Sequence, residues 1–205
     1  MVFDITFGYK KKDLIFDNFH FEIPDGEITV LCGHNGAGKT TLLKIISGIL
    51  PSTLKNTGGW FVPASGGLIR HFSLAEHIKI LGAETNELYQ EAFELLGAKE
   101  FEKKRVSKLS AGQTVIASVL TAFASNRDFL LLDEPYASLD PVNAENLTNL
   151  LKKRKGTTII TSHDLFLTAE TSSHIQFLKN GKISWINDKT DITVDELKEK
   201  YKEFA

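Results

Sequence analysis

The stretch Ile28-Thr29-Val30-Leu31-Cys32-Gly33-His34-Asn35-Gly36-Ala37-Gly38-Lys39-Thr40-Thr41-Leu42-Leu43 decides the architecture of the chain. Residues 28–32 form an apolar run of the kind a buried strand shows. Leu42, Leu43, Ile45, Ile46 and Ile49 then recur at helical spacing and stop near Pro51, which predicts a helix. Between the two, residues 33–40 fit the pattern G-x4-G-K-[ST]. Glycines let the backbone bend until several N–H groups point inward, and the helix start adds the positive end of its dipole. Such a loop cradles phosphates. Lys39 can reach the β- and γ-phosphates of a nucleotide, and the Thr40 hydroxyl can ligate Mg²⁺. A glycine turn carrying a solvated lysine would not need to sit between a buried strand and a helix.

Working outward, a second signal lies about ninety residues on. Phe129-Leu130-Leu131-Leu132-Asp133-Glu134 is an apolar strand ending in two carboxylates. An acid at the C-terminal end of a strand faces the ligand crevice of an open α/β sheet. Asp133 can hold Mg²⁺ through water, and Glu134 can polarise an attacking water. Alone, two acids after a strand are more often a helix cap or surface charge; the phosphate loop upstream changes that balance. A third signal, Leu109-Ser110-Ala111-Gly112-Gln113, is weak by itself. Its physical logic is again anion binding, by a hydroxyl and backbone N–H groups at a helix start.

The remaining chain supplies the scaffold. Phe3, Ile5 and Phe7 alternate with polar residues, as do Phe19, Phe21 and Ile23, predicting a half-buried antiparallel pair. Pro24-Asp25-Gly26 is a turn. Residues 51–70 read as loop or short strands. Ser73 with Glu76, and Thr193 with Glu196, make capping boxes that open helices. Further helices are expected at about 86–96, ending at Gly97, and at 115–124. Further buried strands are expected at 158–161 and 175–178. The fold class is therefore α/β, with a mostly parallel core sheet flanked by helices and a small N-terminal antiparallel β-subdomain. The strandless stretch of about 68–107 marks an inserted, shortened helical subdomain, which extends to about residue 126. The whole chain, 1–205, reads as one domain.

Composition narrows the function classes. At 42% hydrophobic and 24% charged, with formal net charge −2, the chain has the balance of a globular protein and no broad nucleic-acid-binding surface. The single cysteine, Cys32, excludes an internal disulfide and a cysteine metal framework, and reads as a small buried residue. No signal peptide opens the chain and no stretch reaches the ~18 apolar residues of a membrane span. A cytoplasmic location is expected, with any membrane anchoring supplied by another protein.

Together these motifs resemble the ATP-binding-cassette (ABC) ATPase family, over residues 2–185. Residues 33–41 resemble its P-loop, or Walker A, and residues 109–113 its LSGGQ motif, with Ala111 in place of the first glycine. Ser110 precedes Asp133 by 23 residues, which is the family's usual interval. Asp133-Glu134-Pro135 continues into Ala137-Ser138-Leu139-Asp140, similar to the family's D-loop. Thr161-Ser162-His163-Asp164 resembles its switch region, whose histidine contacts the γ-phosphate. Tyr9 stands 24 residues before Gly33, where the family places a ring that stacks on adenine. Asn180-Gly181-Lys182-Ile183 resembles its closing β-turn. The resemblance implies an ATPase that uses ATP and Mg²⁺. It makes Glu134 and His163 catalytic and Thr40 and Asp133 the metal ligands. Tyr9, Gly33, His34, Asn35, Gly36, Ala37, Gly38, Lys39, Thr40, Thr41, Ser110, Ala111, Gly112, Gln113 and Asp140 would contact nucleotide. Two cassettes, identical or homologous, would pair head to tail with ATP between one loop and the other chain's Ser110–Gln113 segment.

The chain departs from the family pattern in three places. Phe61-Val62-Pro63 is followed by Ala64 where the family carries its Q-loop glutamine, a residue that helps ligate Mg²⁺ and senses the membrane partner. Lys39 and Ser110 are only 71 residues apart, which shortens the helical subdomain. The helix after the LSGGQ-like motif carries no charge from Thr114 to Leu120, so burial or cover by a partner is expected there. The resemblance implies the ATP-binding subunit of a transporter, peripheral at the inner face of the cell membrane and coupled to an integral-membrane subunit. Two other readings remain: a soluble ABC ATPase of an assembly machine, and a non-hydrolysing regulatory cassette. GTPases are disfavoured, because no Asn-Lys-x-Asp pattern occurs in the chain.

Overall fold

The computed structural model describes residues 1–10, 13–52, 54, 57–82, 86–188 and 192–204. Its first element is an antiparallel ribbon of β1 (Val2–Phe7) and β2 (Phe16–Glu22). Phe3 stands opposite Phe21, Ile5 opposite Phe19 and Phe7 opposite Phe16, so one face carries every apolar side chain of the alternating pattern. That face is buried.

The main sheet holds β3 (Ile28–Cys32), β4 (Trp60–Val62), β5 (Phe129–Asp133), β6 (Thr157–Thr161), β7 (His174–Lys179) and β8 (Lys182–Asn187). Its strand order is β4-β5-β6-β3-β7-β8, parallel except for the antiparallel β7–β8 pair. Successive side chains leave opposite faces, so each apolar strand feeds two cores. Val30, Leu130, Leu132 and Ile160 enter one, and Leu31, Leu131 and Ile159 enter the other.

The ribbon and α1 (Lys39–Ile46) cover the second face, where Leu42, Leu43, Ile45 and Ile46 are buried and the Phe3 ring stacks on Phe129. The first face is covered by α2 (Leu74–Ile80), α3 (Glu87–Leu95), α4 (Ala111–Ala124), α5 (Pro141–Lys153), α6 (Leu165–Thr171) and α7 (Val194–Phe204). The expected α/β architecture and the small antiparallel subdomain are both present. Residues 68–126 hold α2, α3, two 3₁₀ turns and α4, tied by an isolated Ser73–Arg105 bridge. Residues 83–85, which lie inside the segment read as helical, are outside the described residues. Tyr89, Ala92, Leu96 and Phe101 share one apolar cluster with Val30 and Leu132, so this segment is packed onto the sheet's core.

Two expectations need correction. The helical stripe drawn through Ile49 ends early: α1 stops at Ile46, Gly48 turns left-handed at φ 78°, and Ile49 is 59% exposed. The sequence reading also names neither α5 nor α6. All of residues 115–124 are buried, in keeping with that uncharged stretch, and Cys32 is fully buried.

Candidate functional site

The C-terminal ends of β3, β5 and β6 meet where the glycine-rich loop turns into α1. Gly33 is required by space, since a Cβ there would lie 2.4 Å from the Leu178 carbonyl oxygen. Gly38 caps α1 at φ 106°, a conformation that L side chains rarely adopt. Ala37 is buried, whereas His34, Asn35 and Gly36 are exposed along the outer loop. The Lys39 ammonium is buried and curls over the loop, donating to Gly33 O at 2.7 Å and His34 O at 3.3 Å. It therefore already sits among oxygens of the loop.

Thr40 faces β5. Its hydroxyl lies 3.0 and 2.9 Å from the two carboxylate oxygens of Asp133, which is 4% exposed. Parallel pairing puts Thr161 beside Asp133 in register, and the Thr161 hydroxyl donates to Asp133 Oδ1 at 2.7 Å. The next residue, Glu134, leaves the strand at φ 48°, a conformation uncommon outside glycine. That turn brings Glu134 Oε2 within 2.8 Å of His163 Nδ1, so the ring N–H donates to the carboxylate. His163 is mostly exposed, on the loop after β6, and is not the satisfied buried histidine that a lone His would suggest. Burial pushes the Cys32 thiol, behind the loop, up to about 12, which leaves it an inert packing residue.

Tyr9 presents a 64% exposed ring beside α1, its hydroxyl 3.4 Å from Thr41 Oγ1 and its edge against Phe7. The structure thus brings Tyr9, residues 33–41, Asp133, Glu134 and His163 into one crevice.

It does not bring Ser110, Ala111, Gly112, Gln113 or Asp140 there. Ser110 caps α4 in a full capping box, accepting from Gln113 N at 3.1 Å while its own N–H donates to Gln113 Oε1. Asp140 caps α5, accepting from Asn143 N and Nδ2, and these bonds hold its carboxyl below the usual range. The two segments touch each other instead: a Cβ on Gly112 would lie 2.6 Å from the Ser138 carbonyl oxygen. Ala64, at the missing glutamine, is exposed on a turn closed by Gly66 N donating to Pro63 O. Gly66 packs so closely on Thr114 and Ser118 of α4 that a side chain there would collide with both.

Two features escaped the sequence reading. Thr161 appears there only as part of a motif, because its value comes from its register with Asp133 across two strands. Tyr136 is not named there, yet its buried hydroxyl joins Thr148 and Thr171 and anchors the turn between Glu134 and Asp140. Burial holds that phenol above its ordinary range. Among the described residues, no cluster of three or more His, Cys, Asp or Glu could hold a metal by itself.

Comparison with known proteins adds three findings. Residues 16–137 match the family model for ABC transporters. The chain is 34% identical to a tungstate uptake system ATP-binding protein, TupC, of Peptoclostridium acidaminophilum over 180 residues, covering 77% of this chain and 84% of that one. Among solved structures, an ATP-binding subunit of an ABC transporter superposes with TM-score 0.82 at 18% identity, covering 98% of both chains. A dimeric cassette holding ADP and Pi after hydrolysis superposes at 0.79 and 23% identity, covering 94% of this chain and all of that one. At those identities the two structures bear on the fold.

Proposed function

The chain belongs to the ABC transporter family as an ATP-binding, ATP-hydrolysing subunit, and on that premise we propose which of its residues do the work. The observation that carries the assignment is the meeting of Lys39, Thr40, Asp133 and Glu134 at the ends of two parallel strands. The triphosphate lies over residues 33–41, with backbone N–H groups and the α1 dipole facing its oxygens. Lys39 transfers its hydrogen bonds from Gly33 O and His34 O to the β- and γ-phosphates. Tyr9, exposed beside Thr41, stacks on the base.

The residues fit Mg²⁺. Thr40 and Asp133 offer hydroxyl and carboxylate oxygens within 3.0 Å of one another, a hard oxygen set that phosphate oxygens and water would complete. When bound, the ion supplies neutralisation of charge on the β- and γ-phosphates. Glu134 accepts a proton from the attacking water as the water oxygen bonds to the γ-phosphorus and the bond to ADP breaks. His163, held on Glu134 Oε2, keeps that carboxylate aimed and contacts the γ-phosphate from the same side.

Ser110–Gln113 and Asp140 act across an interface. Dimeric cassettes among the structural relatives support pairing in general; we assign the Ser110 hydroxyl and the α4 N-terminus to the partner cassette's γ-phosphate. No helix among the described residues is long and apolar enough to cross a membrane. We propose that a membrane-spanning partner carries the transport path and place the chain at the inner membrane face. Phosphate release from purified protein with ATP and Mg²⁺ is the test. Turnover abolished by Glu134→Gln supports the assignment, and absence of any wild-type turnover favours the regulatory-cassette reading.

A further inference from the structure

Thr161 is fully buried, and its hydroxyl touches both the Asp133 carboxylate and the Glu134 backbone. Its hydroxyl donates to Asp133 Oδ1 at 2.7 Å and accepts from the peptide N–H of Glu134 at 2.9 Å. The same N–H also reaches Thr161 O, at 3.2 Å, so the peptide entering Glu134 is clamped by one residue twice. Because the Glu134 N–H occupies a lone pair, the hydroxyl hydrogen is directed at Asp133. This single O–H therefore couples the carboxylate that faces the metal position to the turn that carries the general base.

That turn needs holding. Glu134 has φ 48°, which a non-glycine residue keeps only when its surroundings over-determine it. Thr40, the other side chain bonded to Asp133, approaches both carboxylate oxygens about equally and does not distinguish them. Thr161 bonds Oδ1 alone and selects one orientation. A valine here would keep the buried shape and the strand propensity while removing both bonds.

We propose that Thr161 is a positioning residue for hydrolysis, fixing the Asp133 carboxylate and the Glu134 turn as one unit. The proposal rests on the assignment of Asp133 and Glu134 made above. Displacing a catalytic group by as little as an ångström costs about 10²-fold in rate. Thr161→Val is therefore expected to lower kcat by about 10- to 100-fold. It should leave KM for ATP and the affinity for ATP in EDTA within about twofold, and should raise the Mg²⁺ concentration needed for half-maximal ATP binding. Thr161→Ser, which keeps the hydroxyl, is expected to restore kcat and the Mg²⁺ requirement together.

Unchanged kcat and Mg²⁺ dependence in a folded Thr161→Val protein would overturn the proposal. So would a Thr161→Ser protein as impaired as Thr161→Val. If the valine variant does not fold, Thr161→Ala with the same readouts replaces it, and failure of both to fold would make Thr161 a stability residue. Glu134→Gln run in parallel separates the two levels. If it too hydrolyses normally, the site assignment has failed; if it alone is dead, only the role of Thr161 has.

Discussion

The phosphate-loop crevice and the Ser110–Asp140 surface are built in opposite ways. In the crevice, hydrogen bonds join residues distant in sequence: Thr40 to Asp133, Thr161 to Asp133, His163 to Glu134. Asp133 and Thr161 are buried, and the framework is parallel strands in register. On the other surface the side-chain hydrogen bonds are local. Ser110 pairs with Gln113 and Asp140 with Asn143, with Ser110 and Asp140 exposed and their partners half-buried. The crevice's bonds all run within one chain, so on the proposal above one chain suffices to hold the nucleotide. A surface of self-capped helix starts is, on the proposal above, half of a site that a second cassette completes. The difference teaches that ATP binding should belong to the monomer and hydrolysis to the pair.

The largest effect that would sharpen this contrast is Glu134→Gln. Shape and the His163 contact persist while the base is lost, so kcat should fall by about 10²–10⁴-fold with ATP affinity kept. Near-normal phosphate release would show that another group orients the water. Lys39→Ala comes next. It removes the cation at the centre of the loop, and charge-assisted hydrogen bonds of about 1.5–3 kcal/mol translate into about 10- to 100-fold weaker binding. Calorimetry giving wild-type affinity would move the phosphates elsewhere. The smallest effect belongs to the surface. Asp140 has its carboxyl lowered by Asn143, so its cap is present above the ordinary carboxylate range and is lost as pH falls through the lowered value. Asp140→Ala should lower Tm slightly at neutral pH, and the gap from wild type should close in acid. A gap that persisted in acid would mean that packing, not the capping carboxylate, is responsible.

The crevice was legible in the sequence for a physical reason. A phosphate loop must sit between a buried strand and a helix, and residues 28–46 announce both by composition. The acids of β5 were legible because a four-residue apolar run, Phe129–Leu132, ends directly on them. Other features carried weaker signals. α5 follows Asp140-Pro141, a cap and a first-turn proline, with Leu147, Leu150 and Leu151 behind it; those marks were present and not read as a helix. α6 is only seven residues long and its fully buried positions are Thr168 and Thr171, so its apolar signal is weak. Ile49 continued the helical period, but Gly48 turned the chain away, and a period alone does not see that turn. The contact of Thr161 with Asp133 was invisible because strand register, not local sequence, sets the two side by side.

The claim that one site is whole and the other half is tested most directly by ATP-dependent dimerisation. In Glu134→Gln protein with ATP and Mg²⁺, size-exclusion chromatography should show a closed dimer accumulating. Adding Ser110→Arg places a bulky cation at the α4 N-terminus, away from the chain's own Lys39 and Thr40. Monomer ATP affinity should therefore be unchanged while the dimer peak returns to monomer. A double variant that still dimerised with ATP, or one that lost ATP binding as a monomer, would contradict the division between the two regions.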